Sequence, residues 1–208
     1  MPLTPQRIKR LEEVALRRQL DFTVILENVH DPHNLGAVMR TCDSIGVAEV
    51  HVIYTDPRLD NENLKLGKRS SAGTRKWVDV FLYRDIDSCL EKFTDYQILG
   101  AYLDESSPSL YSLDLTVPTA LVFGNEHEGL SDELRQRTDG SFFIPQVGMV
   151  KSLNISVACA VSLYETLRQR QKAGLYDKTD LSERSDLLQA YIDREGDKFY
   201  GMEPKNNK

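Results

Sequence analysis

The chain has 208 residues, 40% of them hydrophobic and 28% charged, with a formal net charge of −6. That is the make-up of a soluble globular domain with a sizeable core. No apolar run approaches the ~20 residues of a membrane span, and the start, Met1-Pro2-Leu3-Thr4-Pro5-Gln6-Arg7, lacks the apolar centre of a secretion signal. A cytoplasmic protein is therefore expected. Three cysteines far apart in sequence, Cys42, Cys89 and Cys159, argue against a disulfide framework or a zinc cluster.

In chain order, residues 5–19 read as an amphipathic helix, with Ile8, Leu11 and Ala15 on one stripe and Arg7, Arg10, Arg17 and Arg18 beside it. A strand follows over 21–26. A helix over 35–45 is expected, with Asn34 as its N-cap and Gly46 beyond its end. Further strands are predicted at 50–54, 78–82, 97–102, 120–123 and 142–144. Helices are predicted at 63–69, 85–93, 132–137 (capped by Ser131) and 154–171. Residues 181–192 form a weaker helical pattern and 203–208 a frayed tail. Continuous apolar strands alternating with helices indicate an α/β fold, a mostly parallel sheet flanked by helices. Ligands of such sheets bind beyond the carboxyl ends of the strands.

Three segments at strand exits mix glycine with uncharged polar residues: Asn34–Thr41, Gly124–Ser131 and Ile144–Asn154. There is no GxGxxG after the first strand and no GxxxxGK[ST], which argues against nicotinamide and triphosphate enzymes. Gly124–Ser131 reads either as a structural turn or as a ligand loop, and its carboxylates Glu126 and Glu128 read better as solvated than as a glycosidase pair. Ser152 and Asn154 stand where a helix start needs caps or a ligand needs donors. The following residues 155–161 are small and apolar all round, as in a helix packed tightly against backbone.

Arg40 lies mid-helix among Ala37, Val38, Met39 and Ile45. It is either paired with Asp43 or Glu27, or aimed at a phosphate or a reacting hydroxyl. His30 and His33 lack convincing further metal ligands, so no metal is expected. His33 reads as a turn residue or an RNA contact. The net acidity does not exclude RNA, because Arg7, Arg10, Arg17 and Arg18 cluster at the start and Arg168, Arg170 and Lys172 late in the long helix.

The three segments resemble the signature motifs of the SPOUT superfamily of RNA 2′-O-methyltransferases, TrmH (SpoU) type: Asn34 to Thr41, Gly124 to Ser131, and Ile144 through Ala158. Gln146 stands where methionine is common and Ile155 replaces valine. The flanks, Asp31-Pro32-His33-Asn34 and Gln169 to Tyr176, resemble the members that modify guanosine-18 of tRNA. The resemblance implies a deep C-terminal trefoil knot, a homodimer, S-adenosylmethionine as methyl donor and tRNA as partner. It implies a catalytic set of Arg40, Asn34, Glu126, Ser152 and Asn154. Donor contacts would fall at Ala101, Tyr102, Gly124, Ile144 and Leu153, and RNA contacts at Arg7, Arg10, Arg17, Arg18, His33, Arg168, Arg170 and Lys172. Residues 1–20 would form a basic tRNA-binding helix, 21–174 the catalytic domain and 175–208 a helical extension. Ribosomal-RNA or wobble-position methylation within the superfamily, and a non-catalytic RNA-binding module, are the competing readings.

Overall fold

Strand β1 (Phe22–Glu27) is buried at all six positions, as a strand covered on both faces must be. It lies between β2 (Glu49–Ile53) and β5 (Thr119–Phe123). The sheet is completed by β3 (Asp79–Tyr83), β4 (Gln97–Ala101), β6 (Gly140–Phe142) and β7 (Lys205–Asn206), in the order β6-β4-β5-β1-β2-β3-β7. Every pairing is parallel. The structure, a computed structural model, describes residues 3–59, 73–196 and 205–206. The helix expected over 63–69 lies outside them. So do residues 203, 204, 207 and 208 of the expected tail, whereas Lys205 and Asn206 pair with Phe81 and Leu82 of β3 rather than fraying.

The helices are α1 (Pro5–Leu16), α2 (Pro32–Ile45), α3 (Ile86–Leu90), α4 (Asp132–Arg135), α5 (Ile155–Lys172) and α6 (Ser185–Gly196). Alternate residues of β1 feed two cores, since strand side chains alternate between faces. Val24 and Leu26 pack with Leu35, Met39 and Cys42 of α2 and with Cys159 and Leu163 of α5. Ile25 packs with Ile86 and Cys89 of α3 and with Leu134 of α4. Each such side chain contributes about 1.5–3 kcal/mol by leaving water.

Three local expectations are corrected. Helix α2 begins at Pro32, with Asp31 as N-cap accepting from the His33 N–H at 2.8 Å. Proline suits a first turn because its missing N–H would be orphaned there anyway; Asn34 is thereby released from capping. Helix α1 stops at Leu16, so Arg17 and Arg18 fall beyond it. The chain is turned there against Gly46, whose φ of 91° and closeness to the Arg17 carbonyl (2.6 Å from a notional Cβ) admit no side chain. Helix α5 buries only one face, through Ile155, Cys159, Ser162 and Leu163, while Val157 and Tyr164 stand 47% and 54% exposed.

Helix α6 docks firmly on the N-terminal helix. Tyr191 of α6 is fully buried; its hydroxyl donates to the Trp77 carbonyl and accepts from Arg18 Nε, both at 2.8 Å. Arg194 bonds Asp79 at 2.8 Å, and Glu195 receives Arg7 through two bonds of 3.0 and 2.8 Å.

Candidate functional site

Strands β5, β4 and β6 end abreast, because Gly100 pairs with Val122 and Ala101 with Phe142. Ala101 and Tyr102, Gly124, and Ile144 therefore emerge side by side at the carboxyl edge. All are half-buried, as is Leu153 just before α5. At Gly124 a Cβ would lie 2.0 Å from the Gly129 carbonyl carbon. The loop folds straight back there, with Asn125 and Gly129 exchanging backbone bonds of 3.1 and 3.2 Å. Asn125 Oδ1 then accepts from the N–H groups of His127 and Glu128 at 2.8 and 2.7 Å. Glycine and asparagine are thus turn chemistry in this segment, and the turn is what exposes its backbone at the rim.

Glu126 is the joint between the first two segments. Its carboxylate accepts from Asn34 Nδ2 at 2.6 Å and from the His30 and Asp31 N–H groups, each at 3.4 Å. Burial opposes its charge, but the bonds from Asn34 and the backbone outweigh burial and hold the carboxyl below its ordinary range. The solvated-loop expectation therefore fails for Glu126 and stands for Glu128, which is exposed. Glu27, at the end of β1 and 1% exposed, is a support that sequence reasoning treated only as a partner for Arg40. It accepts from Ser131 N at 2.8 Å and Oγ at 2.5 Å, while Ser131 caps α4 through Leu134 N at 3.1 Å. A charged residue closing an apolar strand was the signal available for it.

Arg40 is exposed on α2, and its side chain makes no hydrogen bond or ion pair among the described residues. Both partners weighed for it are occupied: Asp43 holds Arg18 at 2.5 Å and Glu27 holds Ser131. Facing water, the guanidinium bears none of the desolvation its apolar neighbours in sequence suggested. Asn154 caps α5, accepting from Ser156 N at 2.9 Å and Oγ at 2.6 Å, and Ser152 is exposed on the loop before it. Among the described residues, Asn34 and Glu126 are the two members of the expected catalytic set that touch.

The expected RNA contacts divide. Arg170 is fully buried and donates to the Leu115 and Val117 carbonyls, both at 2.9 Å, to Gln19 at 3.1 Å and to Asp21 at 2.6 Å. Arg18, 1% exposed, bonds Tyr191, the Val47 carbonyl and Asp43. Both are internal braces, because a buried guanidinium must satisfy its donors. Arg7 is drawn to Glu195, Arg10 to Glu13 and Arg168 to Glu165, and Arg10, Arg17, His33, Arg168 and Lys172 face solvent. Arg10 and Arg17 line a cleft of about 450 Å³ between α1, the end of α2 and the end of α5. His30 lies against His127, with ring centroids 6.4 Å apart, not against Cys42, which is buried beside Cys159. No group of three potential metal ligands occurs among the described residues.

The model of the SpoU rRNA Methylase family matches residues 21–164. The tRNA (guanosine(18)-2′-O)-methyltransferase of Thermus thermophilus is 43% identical over 180 residues, covering 86% of this chain and 90% of that protein. A crystal structure described as the A. aeolicus TrmH/SpoU tRNA modifying enzyme superposes with a TM-score of 0.81 at 33% identity, over 93% of this chain and 98% of that one. The SpoU methyltransferase AviRb of Streptomyces viridochromogenes, solved in complex with the cofactor AdoMet, gives a TM-score of 0.63 at 28% identity, over 74% and 61% of the two chains.

Proposed function

The chain belongs to the SpoU methylase family, and on that premise we propose that it transfers a methyl group from S-adenosylmethionine to the ribose 2′-oxygen of guanosine-18 in the D-loop of tRNA. The observation that carries this reading is the unpaired, exposed guanidinium of Arg40, on a helix whose first turn is latched to the glycine rim through Asn34 and Glu126. The rim suits such a donor. Ala101, Tyr102, Gly124, Ile144 and Leu153 offer backbone and no ionised side chain, and the three strand ends stand abreast. When bound, the donor supplies a methyl on a positively charged sulfur with a neutral leaving group, so the protein's task is alignment and one proton.

Arg40 serves as a hydrogen-bond donor, since a guanidinium offers N–H groups and no acceptor. It orients the 2′-oxygen and an adjacent RNA phosphate, and the hydroxyl proton leaves to water or to that phosphate. Asn34 and Glu126 hold the loop that starts α2, while Ser152 and Asn154 shape the facing wall. Arg10, Arg17, His33, Arg168 and Lys172 grip tRNA phosphates, joined by Arg7 when RNA draws it from Glu195; Arg18 and Arg170 brace that surface from inside. Residues 1–20, 21–174 and 175–208 act as RNA-binding helix, catalytic domain and extension. The C-terminal segment of the catalytic domain threads as a trefoil knot. A homodimer is supported by the outward apolar side chains Val157 and Tyr164 of α5 and by Val147 and Met149 on the loop before it. Among the described residues no helix is long and apolar enough to cross a membrane, and the activity belongs with tRNA in the cytoplasm.

Incubation with tritiated S-adenosylmethionine and unmodified tRNA transcripts, followed by nuclease mapping, is expected to place label in 2′-O-methylguanosine at position 18. Label at the wobble nucleotide, or in ribosomal RNA transcripts offered in a parallel incubation, redirects the substrate, and no label in either RNA rejects the reading.

A further inference from the structure

A second cleft of about 450 Å³ opens beside the Glu126 latch, at the exits of β1, β2 and β5, a size that takes a small ligand (~300–1,000 Å³). Its walls are held by bonds among the lining residues. Asn28, in the left-handed region at φ 49°, ties the exits of β1 and β2 by accepting from the Thr55 and Asp56 N–H groups at 3.0 and 3.1 Å. Asp56 in turn holds Arg58 through Nε and Nη2 at 3.0 and 2.7 Å. Among the described residues Arg58 Nη1 and Asn125 Nδ2 donate to nothing, and the Glu128 carboxylate accepts nothing. The rings of His30 and His127 meet at 85° and make a corner of two flat walls. Arg58 feels the charge of Glu128, so an acceptor and a set of donors share the opening.

We infer that this cleft seats the guanine base of the nucleotide to be methylated, stacked on an imidazole and read by Glu128 and Arg58. A splayed RNA base is recognised by stacking on aromatic rings and by hydrogen bonds along its edges. Guanine presents two neighbouring donors, N1–H and the 2-amino group, which match one carboxylate, and two acceptors, O6 and N7, which match a guanidinium or amide donor. Adenine offers an acceptor at N1 and meets Glu128 with the wrong sign. His30 and His127 sit four residues before Asn34 and one after Glu126, so a base held here carries its ribose toward the latch. The inference rests on the methyltransferase reading for its substrate but is tested apart from it.

The chain has four histidines, which permits assignment of their imidazole NMR signals in the full-length protein. Titration with guanosine 5′-monophosphate is expected to move His30 and His127 saturably and leave the buried His51 in place. Adenosine 5′-monophosphate, with the same ribose phosphate, is expected to leave all of them nearly still, and Glu128→Gln to abolish the guanosine response. With tRNA transcripts, Glu128→Gln is expected to lower kcat/KM at least tenfold and to erase the preference for guanosine over inosine, which lacks the 2-amino group. Donor-product affinity is expected to be unchanged. Equal shifts with both nucleotides, no shift with either, or unaltered base preference in Glu128→Gln overturns the inference. Guanosine-specific shifts in a protein that methylates no RNA leave the cleft standing and reject the methyltransferase reading.

Discussion

Two kinds of arginine occupy this molecule, and their sequence surroundings point the wrong way for both. Arg40 stands among apolar residues in sequence yet faces solvent with its guanidinium unbonded among the described residues, whereas Arg18 and Arg170, each within a basic cluster, are buried with their donors satisfied. The difference separates a guanidinium available to a substrate from one that holds the N-terminal helix, the end of α5 and the sheet together. Charge clustering along a chain says little about which cations reach the surface; burial and donor count decide.

The largest effect that sharpens this contrast is in turnover. Arg40→Ala is expected to lower kcat/KM on the order of 10³-fold, about 4 kcal/mol of transition-state stabilisation. Its urea-unfolding free energy should stay within about 0.5 kcal/mol of the parent, and calorimetric binding of S-adenosylhomocysteine should not change. A variant that keeps its rate removes Arg40 from the chemistry. Arg170→Ala is expected to do the reverse, destabilising the fold by about 3 kcal/mol, because the Leu115 and Val117 carbonyls and Asp21 lose their partner. Wild-type stability with weakened tRNA binding in that variant would return Arg170 to the RNA surface.

The smallest effect concerns the latch. Glu126→Gln is expected to cost about 1 kcal/mol in stability and to slow methyl transfer by loosening the start of α2. Because the folded state holds the Glu126 carboxyl below 4.5, the unfolded chain takes up that proton first on acidification. The latch's contribution is therefore complete above 4.5 and fades as the pH falls through the lower folded value. The parent should lose stability across that window, and Glu126→Gln should show a flatter profile in the same unfolding series. Identical profiles would mean that Glu126 does not couple the two segments.

Much of the site was legible before the fold. The strand exits at Gly124 and Ile144 followed from apolar runs ending in glycine or proline, and Ser131 and Asn154 are the caps that their position suggested. Asn34 was read as a cap as well, since an asparagine ahead of an apolar pattern usually is one. Pro32 moved the helix start back by one turn and left the amide to Glu126, a partner 92 positions away. The pairing of His30 with His127 and the grip of Glu27 on Ser131 span comparable distances in the chain. No local pattern announces contacts of that range.

Sequence alone determined the alternation of strands and helices, the parallel class of the sheet and the three rim segments, because periodicity, capping and glycine conformations act within a few residues. The tertiary structure decided which strands are neighbours, which arginines are buried and which polar groups remain free. Burial and hydrogen-bond satisfaction are collective: whether a donor is engaged depends on every element packed around it, and those elements come from both ends of the chain.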